Sequence, residues 1–229
     1  MIGAIEWTGV GVRVREAEAA RPSGALILNH GRGADENDLF PLLDELDPER
    51  RLLGIATGGP WLGIPPGGRH WYVVERVGHP HAETFARTYA ALAGTLDGLL
   101  AERGIAWSRT AIGGFSQGTV MSYALALGEG RPVPAALLAT SGFIPEVEGW
   151  RADPSSRPDL PVYIHHGERD PVISVELART ARSTLATAGI EAFYRETPAG
   201  HWLPPEIVGE LRGFVADALP TAATNEVSA

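Results

Sequence analysis

The chain has 229 residues, 44% of them hydrophobic and 21% charged, a composition close to the globular norm and long enough to bury a substantial core. Its formal charge of −9 opposes a phosphate backbone and an anionic bilayer, which argues against nucleic acid and membrane as partners. There is no Cys and all 19 basic residues are Arg, so disulfides, thiol nucleophiles, Fe–S clusters, Schiff-base lysines and Walker-type phosphate lysines are removed, and a nucleophile must be sought among Ser, Thr, Asp, Glu, His and Tyr.

No stretch approaches the 18 uninterrupted apolar residues of a membrane span, and residues 1–10 lack the basic start and long apolar run of a secretory signal. The expectation is a cytoplasmic protein. Along the chain, short aliphatic or β-branched runs alternate with longer helical patterns, predicting an α/β protein with strands at residues 10–15, 25–29, 52–57, 110–115, 135–140, 162–165 and 192–196. Several of these runs are continuously apolar, as parallel strands covered on both faces require.

Residues 25–39 read ALILNHGRGADENDL: an apolar strand, a Gly-rich turn and an acidic helix start for which Asp35 is the expected N-cap. Gly31-Arg32-Gly33 also resembles the opening of a dinucleotide-binding turn, but Glu36 falls where a third glycine belongs, and its carboxylate would repel a pyrophosphate. In a hydrolase the same turn supplies an oxyanion donor, here the backbone N–H of Arg32, with Gly31 and Gly33 free to aim it and His30 bracing the loop. Residues 58–68 and 145–161 are Gly/Pro-rich excursions of the kind that form lids or walls. His79 and His81 flank Pro80 and read as loop or capping residues before a helix that Pro80 helps to open. That helix carries the stripe Phe85, Tyr89, Leu92, Leu96 and Leu99. Ala178, Ala181, Leu185 and Ala188 form a second stripe, and Ile207, Leu211, Phe214 and Ala218 a third; helices flanking a sheet must bury such faces. With no repeat or interdomain linker, residues 1–219 are expected to form one domain and residues 220–229 a frayed tail.

Residues 110–118, TAIGGFSQG, contain G-x-S-x-G at Gly114, Ser116 and Gly118, after an apolar strand and before the helical run 119–127. In a strand–turn–helix elbow this spacing presents a strained serine, while the helix N-terminus directs the backbone N–H of Gln117 toward a developing oxyanion. The same residues also suit a plain N-cap serine. A serine nucleophile needs a histidine base and a carboxylate to orient it, downstream and in the order acid, then histidine. After the strand at 162–165, HHGERDPVI offers Glu168 and Asp170, of which Asp170, directly before Pro171, is preferred. After the strand at 192–196, TPAGHWLPP offers His201 as the base. A metal cluster at His165 and His166 is disfavoured, because neighbours on a strand point to opposite faces.

The segments LNHGRGADENDL, GGFSQG, ATSGF (residues 139–143), HGERDPVI and GHWLPPEI occur in an order that resembles the small carboxylesterase/phospholipase family that includes the acyl-protein thioesterases. The resemblance covers nearly the whole chain. It implies an α/β-hydrolase fold, with a mostly parallel central sheet, helices on both faces and no large cap domain. It also implies a triad of Ser116, Asp170 and His201, and oxyanion donors at Arg32 and Gln117. The chain departs from the thioesterase pattern at Trp71-Tyr72-Val73, where Trp followed by Phe and Asp is expected. Trp61, Ile64, Trp71, Tyr72, Phe143 and Trp202 are candidate walls of an apolar acyl site. The activity implied is hydrolysis of small carboxylic esters, with thioesters as a second substrate type, through an acyl-enzyme on short to medium acyl chains. No cofactor or metal is expected, and the assembly is a monomer or homodimer. A peptidase or amidase on the same triad, or a catalytically silent binding protein, are the alternatives.

Overall fold

A computed structural model describes residues 5–220, so the tail expected at 220–229 lies, beyond Pro220, outside the described residues. In chain order the elements are β1 (Glu6–Trp7), β2 (Gly11–Arg15), β3 (Ala25–Asn29), α1 (Leu42–Leu46), β4 (Leu53–Gly58), β5 (Trp61–Leu62), β6 (Val74–Arg76), β7 (His79–Pro80) and α2 (Ala82–Glu102). They continue with β8 (Thr110–Phe115), α3 (Gln117–Leu127), β9 (Ala136–Thr140), β10 (Val162–Gly167), α4 (Val175–Thr187), β11 (Phe193–Thr197) and α5 (Pro205–Ala218).

All the strands expected from the sequence join one seven-stranded sheet, in the order β11-β10-β9-β8-β3-β4-β2. Only the edge strand β2 runs antiparallel, pairing with β4. Because strand side chains alternate, each apolar run serves two cores. Ala25 and Ile27 of β3 pack with Phe85, Leu92 and Leu96 of α2 and with the buried α3 and α4 residues. Leu26 and Leu28 face the other way, toward Leu43 and Leu46 of α1 and Ile207, Leu211 and Val215 of α5. Helix α3, which follows Ser116, is buried along its whole length, which explains why its sequence is apolar without a polar face.

Two helix starts differ from expectation. Asp35 caps a turn instead of a helix: its Oδ1 accepts the N–H of Asn37 at 2.8 Å, and α1 begins only at Leu42, after Pro41. Proline disfavours helical geometry in the residue before it and cannot donate, so a helix from residue 35 could not run through Phe40-Pro41. Pro80 lies in the short pairing of β7 with β6, and α2 is capped one residue later by His81, whose ring accepts the N–H of Thr84. The Gly/Pro-rich stretch 58–68 is not purely loop: β5 within it pairs antiparallel with β1.

The chain order reverses at β3. From β3 it moves outward to β4 on one side and returns to place β8 on the other, so the carboxyl ends of β3 and β8 flank a topological switch point, where ligands bind in open α/β sheets. There α3 approaches β3 so closely that a Cβ on Gly118 would overlap the carbonyl oxygens of Asn29 and His30. All of these obstacles are rigid backbone. Gly118→Ala is therefore expected to lower stability by about 3 kcal/mol or more, read as a drop in chemical-denaturation midpoint. A midpoint equal to that of the parent would show that helix and strand can separate there without loss.

Candidate active site

Ser116 follows β8 with φ 54° and ψ −119°, a region that a residue with a side chain occupies only when its surroundings force it. The forcing contacts are visible. The Ser116 N–H donates to the carbonyl of Thr140 at 3.0 Å, and the Thr119 hydroxyl lies 2.6 Å from the carbonyls of both Gly114 and Thr140. These bonds tie the elbow to the end of β9. The Ser116 side chain makes no N-cap hydrogen bond to α3, so the plain capping reading does not hold.

The Oγ of Ser116 lies instead 2.9 Å from Nε2 of His201, and Nδ1 of the same ring lies 2.6 Å from Oδ2 of Asp170. Because the Asp170 carboxylate can only accept, Nδ1 carries the proton and the Nε2 lone pair faces the serine hydroxyl. The Asp170 side chain is fully buried, and its other oxygen accepts the backbone N–H groups of Val172 and Ile173 at 2.8 and 2.9 Å. Burial pushes its pKa upward, but the hydrogen bonds from His201 and from the Ile173 and Val172 amides outweigh it, so the carboxylate titrates below its ordinary range. The Phe115 ring packs on the imidazole with centroids 4.8 Å apart. Glu168 has no part in this chain of bonds.

The turn after β3 lies against the same site. Gly33 has φ 84°, so its freedom is used, whereas Gly31 matters because a Cβ there would crowd the Phe115 ring. Gly33 and Ala34 exchange backbone hydrogen bonds with Arg69, and Glu36 pairs with the Arg69 guanidinium at 3.4 Å instead of approaching any anion. His30 braces the turn as expected: Nδ1 lies 2.6 Å from the Gly31 carbonyl, and Nε2 accepts the N–H of Gly59 at 2.9 Å. Among the described residues the backbone N–H groups of Arg32 and Gln117 have no acceptor, and both residues line the small cavity that Ser116 faces.

Two features escaped sequence reasoning. The Gln117 side chain accepts the N–H of Trp71 and donates to the carbonyl of Tyr72, each at 2.8 Å, clamping the 71–72 segment beside the serine. Nothing in a local motif signals a contact across such a separation. His166 lies beside the candidate acid, with Nε2 3.4 Å from Asp170 Oδ2 and 2.8 Å from the Ile173 carbonyl. Its neighbour His165 bonds Thr197 Oγ1 at 2.9 Å. The two rings thus serve different partners, in keeping with their opposite strand faces.

The expected walls divide. Tyr72 and Phe143 line the cavity at Ser116, joined by Val74, Val77, Val172 and Ile173, which went unforeseen. Trp71 is wholly buried beneath it and donates through Nε1 to the His30 carbonyl at 2.8 Å. Trp61 packs edge-on against Trp7 and donates to Thr88, and Ile64 lines neither this cavity nor the one beside His201. Trp61 is paired with Trp7 of β1, and Ile64 lies two residues beyond that pairing. Trp202 is exposed and borders that separate cavity beside His201.

The model of the phospholipase/carboxylesterase family matches residues 12–219. The chain belongs to the phospholipase/carboxylesterase family of hydrolases. An acyl-protein thioesterase 1 from Candida albicans is 25% identical over 193 residues, covering 76% of this chain and 82% of that protein. A thioesterase of the same name from Gibberella zeae is 29% identical over 126 residues, and the match spans only about half (52%) of each chain. Among solved structures, a Bacillus cereus carboxylesterase superposes with a TM-score of 0.76 at 19% identity, covering 91% of this chain and 94% of that one. The esterase PE8 superposes at 0.75 with 24% identity, covering 93% and 100%. These likenesses show the α/β-hydrolase fold, with its mostly parallel central sheet and helices on both faces. No helix among the described residues is long and apolar enough to cross a membrane.

The buried histidines set an acid limit on stability. Desolvation lowers the pKa of His30 and His165 to about 4, despite the opposing bond of His30 to the Gly31 carbonyl. In the unfolded chain each takes up a proton near pH 6.5, so between about 6.5 and 4 the unfolded state binds more protons and stability falls as pH falls. The slope is about 1.4 kcal/mol per pH unit for each such histidine at most. Urea unfolding should show lower stability at pH 5.0 than at pH 7.5, and His165→Asn should flatten the difference. Equal stability at both pH values would contradict this account.

Proposed function

We propose that the protein is a serine hydrolase that cleaves carboxylic esters, and thioesters of similar shape, through an acyl-enzyme. The observation that carries this reading is the continuous hydrogen-bonded relay from Ser116 Oγ through His201 to Asp170 at 2.9 and 2.6 Å. In the proposed reaction His201 Nε2 takes the Ser116 proton as Oγ attacks the carbonyl carbon. The carbonyl oxygen gains negative charge and is held by the N–H groups of Arg32 and Gln117 at the start of α3, where the helix dipole adds a favourable field. Collapse of the tetrahedral intermediate breaks the bond to the leaving oxygen or sulfur, which receives the proton from Nε2. Water, activated by the same nitrogen, then releases the acid and restores Ser116. Asp170 stays ionised throughout and stabilises the imidazolium. Its low pKa supports that role.

A preference for short acyl groups is supported by the cavity at Ser116, which is only about 60 Å3 and is lined by Tyr72, Phe143 and Val77. Val77 and Phe143 also border a larger trough lined by Val147, Trp150 and Leu177, so medium chains reach more space only by passing them. No step needs a cofactor. The proposal keeps a cytoplasmic setting, a small-molecule ester as substrate, and a monomer or homodimer.

Hydrolysis of p-nitrophenyl esters of increasing acyl length tests this reading. The parent should favour acetate to hexanoate over longer chains. Ser116→Ala should lose about 10⁴-fold or more in kcat, and Asp170→Asn about 10³- to 10⁴-fold, since the relay members act as a unit. Unchanged turnover in Ser116→Ala, with the fold intact by circular dichroism, would overturn the assignment.

A further inference from the structure

A second apolar cavity, of about 240 Å3, is lined in part by His201 and shares no lining residue with the small one at Ser116. Leu39, Leu42, Leu46, Phe115, Trp202 and Leu203 dominate its lining, and Ser116, Arg32 and Gln117 are not among its residues. Resting on the hydrolase reading above, we propose that this cavity is the leaving-group site, and that it takes the alcohol half of the ester when that alcohol is uncharged and apolar.

Once the carbonyl oxygen is directed at the Arg32 and Gln117 amides, the acyl chain and the leaving group must diverge, and the leaving oxygen must lie within reach of the proton on His201 Nε2. The acyl chain then falls among Tyr72, Val74, Phe143 and Ile173, and the leaving group falls along the His201 and Phe115 rings. The larger cavity is bounded by those same two rings. Phe115 precedes the nucleophile directly, so its ring forms a wall shared between the reacting atoms and the cavity.

The chemistry of the lining selects the ligand. Apart from His201 it contains no titratable side chain, and the Thr140 hydroxyl is already spent on the Gly114 carbonyl at 2.7 Å. A charged or strongly polar alcohol would lose hydration there without a partner. The size fits too: apolar cavities of about 150 Å3 hold benzene, so this one accommodates a benzyl group or a six-carbon alkyl chain. Leu39, Leu42, Leu203 and Phe115 are only partly buried and Trp202 is exposed, so the mouth opens to solvent beside the imidazole.

The test uses the full-length protein and butyrate esters of methanol, butanol, hexanol and benzyl alcohol, followed by pH-stat titration. Acyl group and leaving-group basicity stay nearly constant, so kcat/KM reports how the alcohol is seated. It should rise about threefold per methylene, with benzyl among the best substrates. Leu42→Trp and, independently, Leu39→Trp fill the cavity and should collapse the hexyl-to-methyl ratio toward one. The ratio of methyl hexanoate to methyl acetate, which reads the other cavity, should keep its parental value in both variants. A flat alcohol series in the parent overturns the proposal, as does a hexyl preference that survives in a folded tryptophan variant. Activity on p-nitrophenyl acetate with a flat alkyl series removes this inference alone. Inactivity on every ester removes the hydrolase reading and this one with it.

Discussion

The site depends on the close approach of α3 to the end of β3 and on a Ser116 backbone conformation that L-residues avoid. With φ at 54° the serine side chain cannot fold back to cap its own helix, so it projects from the carboxyl edge of the sheet. Such strain, of order 1–3 kcal/mol, persists only where the surroundings over-determine it. Here the Thr140 carbonyl, the Thr119 hydroxyl and the interlocked β3, β8 and β9 provide that determination. Stability contributed by the central strands is thus converted into the position of a single oxygen atom.

Around that oxygen, loops distant in sequence are pinned to one another by buried polar contacts. His30, Trp71 and Gln117 form a set in which each side chain bonds the backbone of another loop. Burial holds His30 neutral, with its pKa down to about 4, so Nε2 remains able to accept the Gly59 N–H at physiological pH. Asp170 is pinned in the same manner, because two amides fix one carboxylate oxygen and leave the other for His201. In the hydrolase proposed above, rigidity of this kind would position the reacting groups before substrate arrives, which is where most of the benefit of a proton relay and an oxyanion site originates.

The features legible in the sequence share a physical character. Continuous apolar runs give strands because a sheet covered on both faces needs them, and Gly114 and Gly118 mark the elbow because a Cβ at either would collide with neighbouring backbone. Asp170 and His201 are recognisable because each follows a strand on a short polar loop. Less of the surrounding wall could be read. Tyr72 and Phe143 reach the cavity while Trp61 and Ile64 do not; Trp61 is engaged in the short β1–β5 pairing, and a two-residue strand carries no periodic signal. The Gln117 clamp and the Phe115–His201 contact depend on long-range packing for the same reason. The start of α1 was recoverable, since Pro41 forbids the earlier helix.

The most direct test of the relay is the intact mass of the protein after brief exposure to a fluorophosphonate at pH 7, followed by proteolytic mapping. The account predicts one adduct per chain, carried on Ser116 within residues 110–151, and labelling slowed by orders of magnitude in His201→Ala. An adduct on any other residue, or equal labelling with and without the imidazole, would contradict it.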